Sequence, residues 1–113
     1  MILMEGYNMK DYKKVANRIR KMGTFCDIHY CGMPTEHCPV NLCFGLCEAY
    51  IIGYVFYVSY NFGSWSIDYT LDPSIKMRAD MKHISGIKAD RDMYVKVEKI
   101  INEIREHCGV KSK

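Results

Sequence analysis

From residue 10 to residue 22 the apolar positions of KDYKKVANRIRKM recur at three- and four-residue steps. Tyr12, Val15, Ala16, Ile19 and Met22 form one stripe, while Lys10, Lys13, Lys14, Arg18 and Arg20 lie largely off it. That period predicts a basic amphipathic helix over 9–22, with Gly23 as its stop. Residues 49–60, AYIIGYVFYVSY, are apolar on both alternating faces and rich in β-branched and aromatic types, the pattern of a central strand buried on two sides. Asn61-Phe62-Gly63-Ser64 reads as a hairpin connection. Trp65, Ile67, Tyr69 and Leu71 then alternate with Ser66, Asp68 and Thr70, a half-buried second strand.

After Asp72-Pro73 the chain alternates again, Ile75, Met77, Ala79 and Met81 against Lys76, Arg78, Asp80 and Lys82, which predicts a third strand. A proline in that position also opens helices, so a helix over 74–84 is the competing reading. Ser85-Gly86 is expected to end the element. Asp90 is the expected N-cap of a closing helix over 90–108, with Met93, Val97, Ile100, Ile101, Ile104 and Cys108 on its stripe and Gly109 after it.

Between the first helix and the sheet, residues 24–48 read as a cysteine-rich connection broken by Gly32, Pro34, Pro39 and Gly45, with room for a short helical turn across Cys43–Cys47. The expectation is one α+β domain over 1–113: N-terminal helix, cysteine-rich connection 24–48, three-stranded antiparallel meander 49–82, and C-terminal helix. Two helices then cover one sheet face, and the other is left partly open or covered by the cysteine-rich segment. A chain of 113 residues has no room for a second domain or a barrel, and 49% apolar with 26% charged residues excludes a disordered chain.

The net charge of +3 hides a segregation. Residues 1–22 carry six basic and two acidic groups, and residues 76–113 carry ten and six. Residues 23–75 contain no Lys or Arg and five acids: Asp27, Glu36, Glu48, Asp68 and Asp72. This cation-free middle reads first as a core sheet with charged helices outside it. The alternative is an aromatic surface with basic rims, suited to a partner or a nucleic-acid strand. The opening residues lack a basic n-region and a cleavage site, so no secretory signal is expected. The one apolar run of membrane length, 42–60, carries Glu48, two glycines and four tyrosines, which argues against a spanning helix. A cytoplasmic location is the expectation, and there thiols stay reduced.

Cys26, Cys31, Cys38, Cys43 and Cys47 fall within 22 residues, with His29 and His37 interleaved. Thiolate and imidazole are the ligands zinc prefers, and binding energy on the order of 10 kcal/mol orders a loop with little core of its own. The expected zinc ligands are Cys26, Cys31, Cys38 and Cys43, with His29 or His37 as substitutes; Cys47 and Cys108 are expected in the core. Reduced structural thiols are the competing reading. No Cys-x2-Cys knuckle is present, and neither ferredoxin spacing fits.

CDIHYCGMPTEHCPVNLC, with a proline directly after the third cysteine and a basic helix in front, resembles the cysteine clusters of small proteins carried by bacteriophages and prophages. It departs from their closer cysteine pairs, and the match covers 18 of the 113 residues. The resemblance implies a viral accessory protein that binds and blocks a host enzyme or defence complex, as anti-CRISPR-type inhibitors do, and it carries over no catalytic residue.

No Gly-rich phosphate loop, His-Glu-x-x-His or Gly-x-Ser-x-Gly occurs, and His37-Cys38-Pro39 does not complete a zinc-deaminase pattern. Turnover is therefore not expected. Three binding classes remain. A protein partner fits the tyrosine-rich middle, with Tyr54, Tyr57 and Trp65 as anchors. Nucleic acid fits Lys10, Lys13, Lys14, Arg18, Arg20 and Lys21 on the first helix. A nucleotide sponge would stack a base on Tyr or Trp65 and hold its phosphate on the basic rim.

Overall fold

The computed structural model describes residues 10–110. Within them the order is α1 (Tyr12–Arg20), β1 (Phe25–Tyr30), β2 (Val40–Glu48), β3 (Ile51–Asn61), β4 (Ser64–Tyr69), a 3-10 turn (Arg78–Asp80), β5 (Lys82–Ile87) and α2 (Asp90–His107). The five strands form one antiparallel sheet in the order β1-β2-β3-β4-β5. The α+β class agrees with the pattern reading; the strand count does not. Met9 and the opening residues read for a leader lie outside the described residues.

The segment 24–48 is a β-hairpin, not an irregular connection with a helical turn. Pro34 and Pro39 sit in or beside its loop, and Gly45 lies inside β2 paired with Asp27. Gly45 is there because β1 carries one extra residue, Cys26, between the pairs Phe25↔Leu46 and Asp27↔Gly45. The Cys26 sulfur stands 3.2 Å from where a Gly45 Cβ would be, so a side chain there would collide with the bulge. Glycine thus permits the strand that its presence argued against.

α1 begins where Asp11 caps it, the carboxylate accepting the Lys13 amide at 2.9 Å. Its buried face is Val15, Ala16 and Ile19. α2 buries Met93, Val97, Ile100, Ile101 and Ile104, as its stripe predicted. Asp90 is the first helical residue rather than the cap; Ala89 occupies the cap position without a side-chain bond. The two helices lie on the sheet face that carries Leu42, Phe44, Leu46, Phe56, Val58, Trp65 and Ile67. Phe44 and Phe56 stack at 5.1 Å at its centre.

The opposite face is crossed by neither helix nor cysteine loop. The β4–β5 connection folds over it. Lys76 donates to the Gly53 carbonyl at 3.2 Å, and Arg78 reaches across β4, β3 and β2. Residues 75–81, expected as a third strand, therefore form an extended strap ending in a 3-10 turn, and β5 starts at Lys82. The alternation does not survive: Met81 tucks in and Arg78 is half-buried, while Met77 and Ala79, expected on the apolar side, are exposed. Ser85-Gly86 does not end β5. The two residues stand opposite the single Ser66, between Trp65↔Ile87 and Ile67↔Ile84, so β5 carries one extra residue there, with Gly86 at a φ of 78°. Residues 42–60 form most of β2 and β3, and among the described residues no helix is long and apolar enough to cross a membrane.

Candidate functional site

The expected aromatic anchors are mostly core. Trp65 is fully buried, and its Nε1–H donates to Asp90 Oδ1 at 2.9 Å. Tyr54 is buried beside α2, edge-on to His107. Tyr57 is half-buried under the Arg78 guanidinium, 4.5 Å from its ring centroid. The strand expected to be buried on two sides is fully buried only toward the helices, with Ile52 81% exposed. The helix layer nevertheless covers Trp65 and Tyr54, and Arg78 covers Tyr57, so none of the three forms an open stacking platform.

The cysteine set divides. Asp27, His29 and Cys43 share the face opposite the helices, since His29 pairs directly with Cys43 and Asp27 with Gly45. His29 Nδ1 bonds Asp27 at 2.8 Å and both are exposed. The Cys31 and Cys43 thiols meet across the strands; Cys43 is buried and burial pushes its thiol up to about 11. Cys26 and Cys47 form a second, exposed pair. Cys38 instead donates to the Val40 carbonyl at 3.6 Å, and His37 stacks on Phe62 at 4.8 Å. Cys108 lies against Tyr54. Among the described residues no three His, Cys, Asp or Glu side chains stand together as a metal-binding group. An extended hairpin spreads its thiols along two strands, whereas the expected ligand set requires them folded around a point. Cys47, expected in the core, is exposed.

The basic set is different: it lines the outer half of α1, with Lys14, Arg18 and Lys21 toward α2 and Lys13 and Arg20 toward β1. Lys13, Lys14, Arg18, Arg20 and Lys21 are all exposed on α1 or at its end. Among the described residues Lys10 alone of this set is tied to a carboxylate, Asp90 at 3.0 Å, and it also lies over the Tyr60 ring. Arg20 bonds the Asn17 amide oxygen, and Arg18 stacks on Tyr94 of α2 at 4.3 Å. Two open hollows that share Lys14 and Arg18 run along the α1–α2 seam. One, of about 590 Å³, is lined by Asp11, Lys14, Val15, Arg18, Asp90, Arg91 and Tyr94. The other, of about 490 Å³, adds Asn17, Lys21, Met22 and Glu98. Arg91 and Tyr94 were missed in the sequence. Their three-residue spacing on α2 was visible, and both helices were expected on one sheet face, but not which side of α2 would meet α1.

A second polar cluster was also missed, on the strap-covered face. Asp68 is only 5% exposed; one oxygen accepts from Arg78 Nε at 2.9 Å and the other bonds His83 Nδ1. Arg78 Nη1 reaches Asn41 Oδ1 at 2.8 Å, and the Ser59 and Ser66 hydroxyls bond each other at 2.9 Å beside it. A hollow of about 560 Å³ opens over Ser59, Ser66, Asp68 and His83. Arg78 uses its donors on protein acceptors, so this cluster holds the strap down rather than offering a free cation.

No family model matches the chain, and no curated protein and no solved structure matches it either.

Proposed function

We propose that the protein acts by binding, and that its recognition surface is the exposed cationic face of α1 together with the α1–α2 seam, taking the phosphate backbone of a nucleic acid. One observation carries this: of the six cations in Lys10–Lys21, five have no carboxylate partner among the described residues, and all five project outward. Unneutralised cations spaced along one helix release counterions when they meet phosphates. Arg91 extends the positive strip onto α2, and Tyr94 holds Arg18 in place across the seam. The burial of Trp65 and Tyr54 argues against the nucleotide sponge, which needs a free stacking ring.

The test is affinity for short single- and double-stranded DNA and RNA as a function of salt. Binding is expected to weaken steeply with salt. The triple variant Lys14→Glu, Arg18→Glu, Lys21→Glu should lower the log–log salt slope by about 2–3, at roughly one phosphate per cation removed. Retention that ignores both salt and the triple variant overturns the reading.

A second reading, inhibition of a protein partner as the phage-protein resemblance implies, is favoured by the hairpin tips. Phe62 (74% exposed) and Tyr50 (87% exposed) both hold positive φ at the ends of β3, where small polar residues are the easy choice. Binding through these tips would be nearly salt-independent and lost in Phe62→Asn or Tyr50→Asn.

A further inference from the structure

The β1–β2 hairpin carries two cross-strand thiol pairs in unlike settings. Cys26 is the extra residue of the β1 bulge, and its thiol donates to the Gly45 carbonyl at 3.4 Å. Gly45, having no side chain, leaves the space that the sulfur occupies. Cys47 is brought alongside by its own backbone, whose amide donates at 2.9 Å to the carbonyl of Thr24, two residues before Cys26, and the neighbouring Cys47 disfavours ionisation of Cys26. Both residues are exposed. The second pair, Cys31 with Cys43, lies toward the other end of the hairpin beside Tyr57 and Arg78, with Cys43 buried.

We propose that Cys26 and Cys47 form a reactive dithiol that low-molecular-weight disulfides of the glutathione type close into a cross-strand disulfide, while Cys31 and Cys43 stay reduced. Proximity makes the second step intramolecular, and exposure lets the first one happen. Cys47 attacks first, because the Cys26 proton is engaged by the Gly45 carbonyl and burial together with the neighbouring Cys47 holds that thiol protonated. The Cys47 thiolate displaces one half of the external disulfide, which leaves as a thiolate and takes up a proton. Cys26 then gives up its proton to solvent and attacks the Cys47 sulfur of the mixed disulfide, expelling the second half as a thiolate that takes up a proton in turn. Two protein thiols are oxidised and one external disulfide is reduced to two thiols. The new bond closes residues 26–47 and ties edge strand β1 to β2 next to Glu48, the residue that also holds Thr24 and Arg105.

The experiment uses the full chain, reduced and held with a chelator, exposed to graded mixtures of reduced and oxidised glutathione. Samples are then quenched with a maleimide, counted by intact mass and mapped by peptide. Four alkylated thiols, a link joining the Cys26 and Cys47 peptides, and a melting temperature raised by several degrees are expected. Cys47→Ser should leave no internal link. Gly45→Ala, whose new methyl crowds the Cys26 sulfur, should cut the yield of the link while the variant still melts cooperatively. Six thiols left free in fully oxidised glutathione overturn the proposal. So does a link between any other pair, an equal loss of two thiols in Cys47→Ser, or thiols shielded by zinc that survives the chelator.

Discussion

Arg105 holds Glu48 through both guanidinium arms, Nε to Oε1 at 2.8 Å and Nη2 to Oε2 at 2.7 Å. The same guanidinium donates to the Met22 carbonyl and the Asn102 side chain, and Glu48 accepts the Thr24 amide. Three chain segments far apart in sequence, the exit of α1, the end of β2 and the last turns of α2, are joined at one nearly buried pair. The hydrogen bonds it donates to Glu48 keep Arg105 charged more firmly than usual, against the cost of its burial. Arg105→Met should therefore cost about 3–5 kcal/mol in urea denaturation, because it leaves the carboxylate buried with one partner fewer. The double variant Arg105→Met, Glu48→Leu should recover part of that loss, since no lone charge then remains.

The strap over the second sheet face is pinned by Arg78 on Asp68. Arg78 is one-third exposed, so Arg78→Ala should cost less, about 1–3 kcal/mol. Amide exchange should rise across 71–81 and stay unchanged in α1 and β2. A uniform rise over the whole chain would mean that Arg78 supports the fold at large and not the strap.

Burial works against ionising Asp90, but hydrogen bonds from Trp65 and Lys10 outweigh it and hold its carboxyl below the usual value. A carboxyl whose folded pKa is depressed lends stability above its unfolded pKa, near 3.8, and loses it as pH falls through the lower folded pKa. Trp65 fluorescence should report an acid step in that window. In Asp90→Asn the step should vanish, and the melting temperature should fall less on acidification than in the parent.

Phe62 and Gly63 are the two central residues of the β3–β4 turn and both have positive φ, 51° and 83°. A two-residue turn of that kind prefers Asn at the first place. Phe62→Asn should gain about 0.5–1 kcal/mol of stability by thermal or urea unfolding, less whatever the stack on His37 contributes. Loss of stability would show that the His37–Phe62 stack outweighs the backbone strain.

At alkaline pH the buried Cys43 thiol resists ionisation, its pKa raised from 9.0 to about 11 by burial first and by Cys31 next. The unfolded chain ionises earlier, so stability should decline as pH rises from about 9 toward about 11, and Cys43→Ala should flatten that decline.

What the sequence by itself determined is the part of the fold set by period and charge: two amphipathic helices, the strands at Ile51–Asn61 and Ser64–Tyr69, the hairpin at Phe62-Gly63, and the cations grouped on α1. Those features depend on neighbours within a few residues, and their pattern survives any packing. The tertiary structure alone decided the rest. Gly45 marks a strand rather than a break only because the Cys26 bulge lies opposite it. Residues 75–81 alternate like a strand, yet they lie across a sheet face because Asp68, Asn41 and Ser59 offer Arg78 more hydrogen bonds there. Trp65 and Tyr54 became core instead of surface once α2 covered them, and the five clustered cysteines were drawn out along β1, β2 and their loop. Each of those outcomes is a contact between residues distant in sequence, and such contacts leave no local period to read.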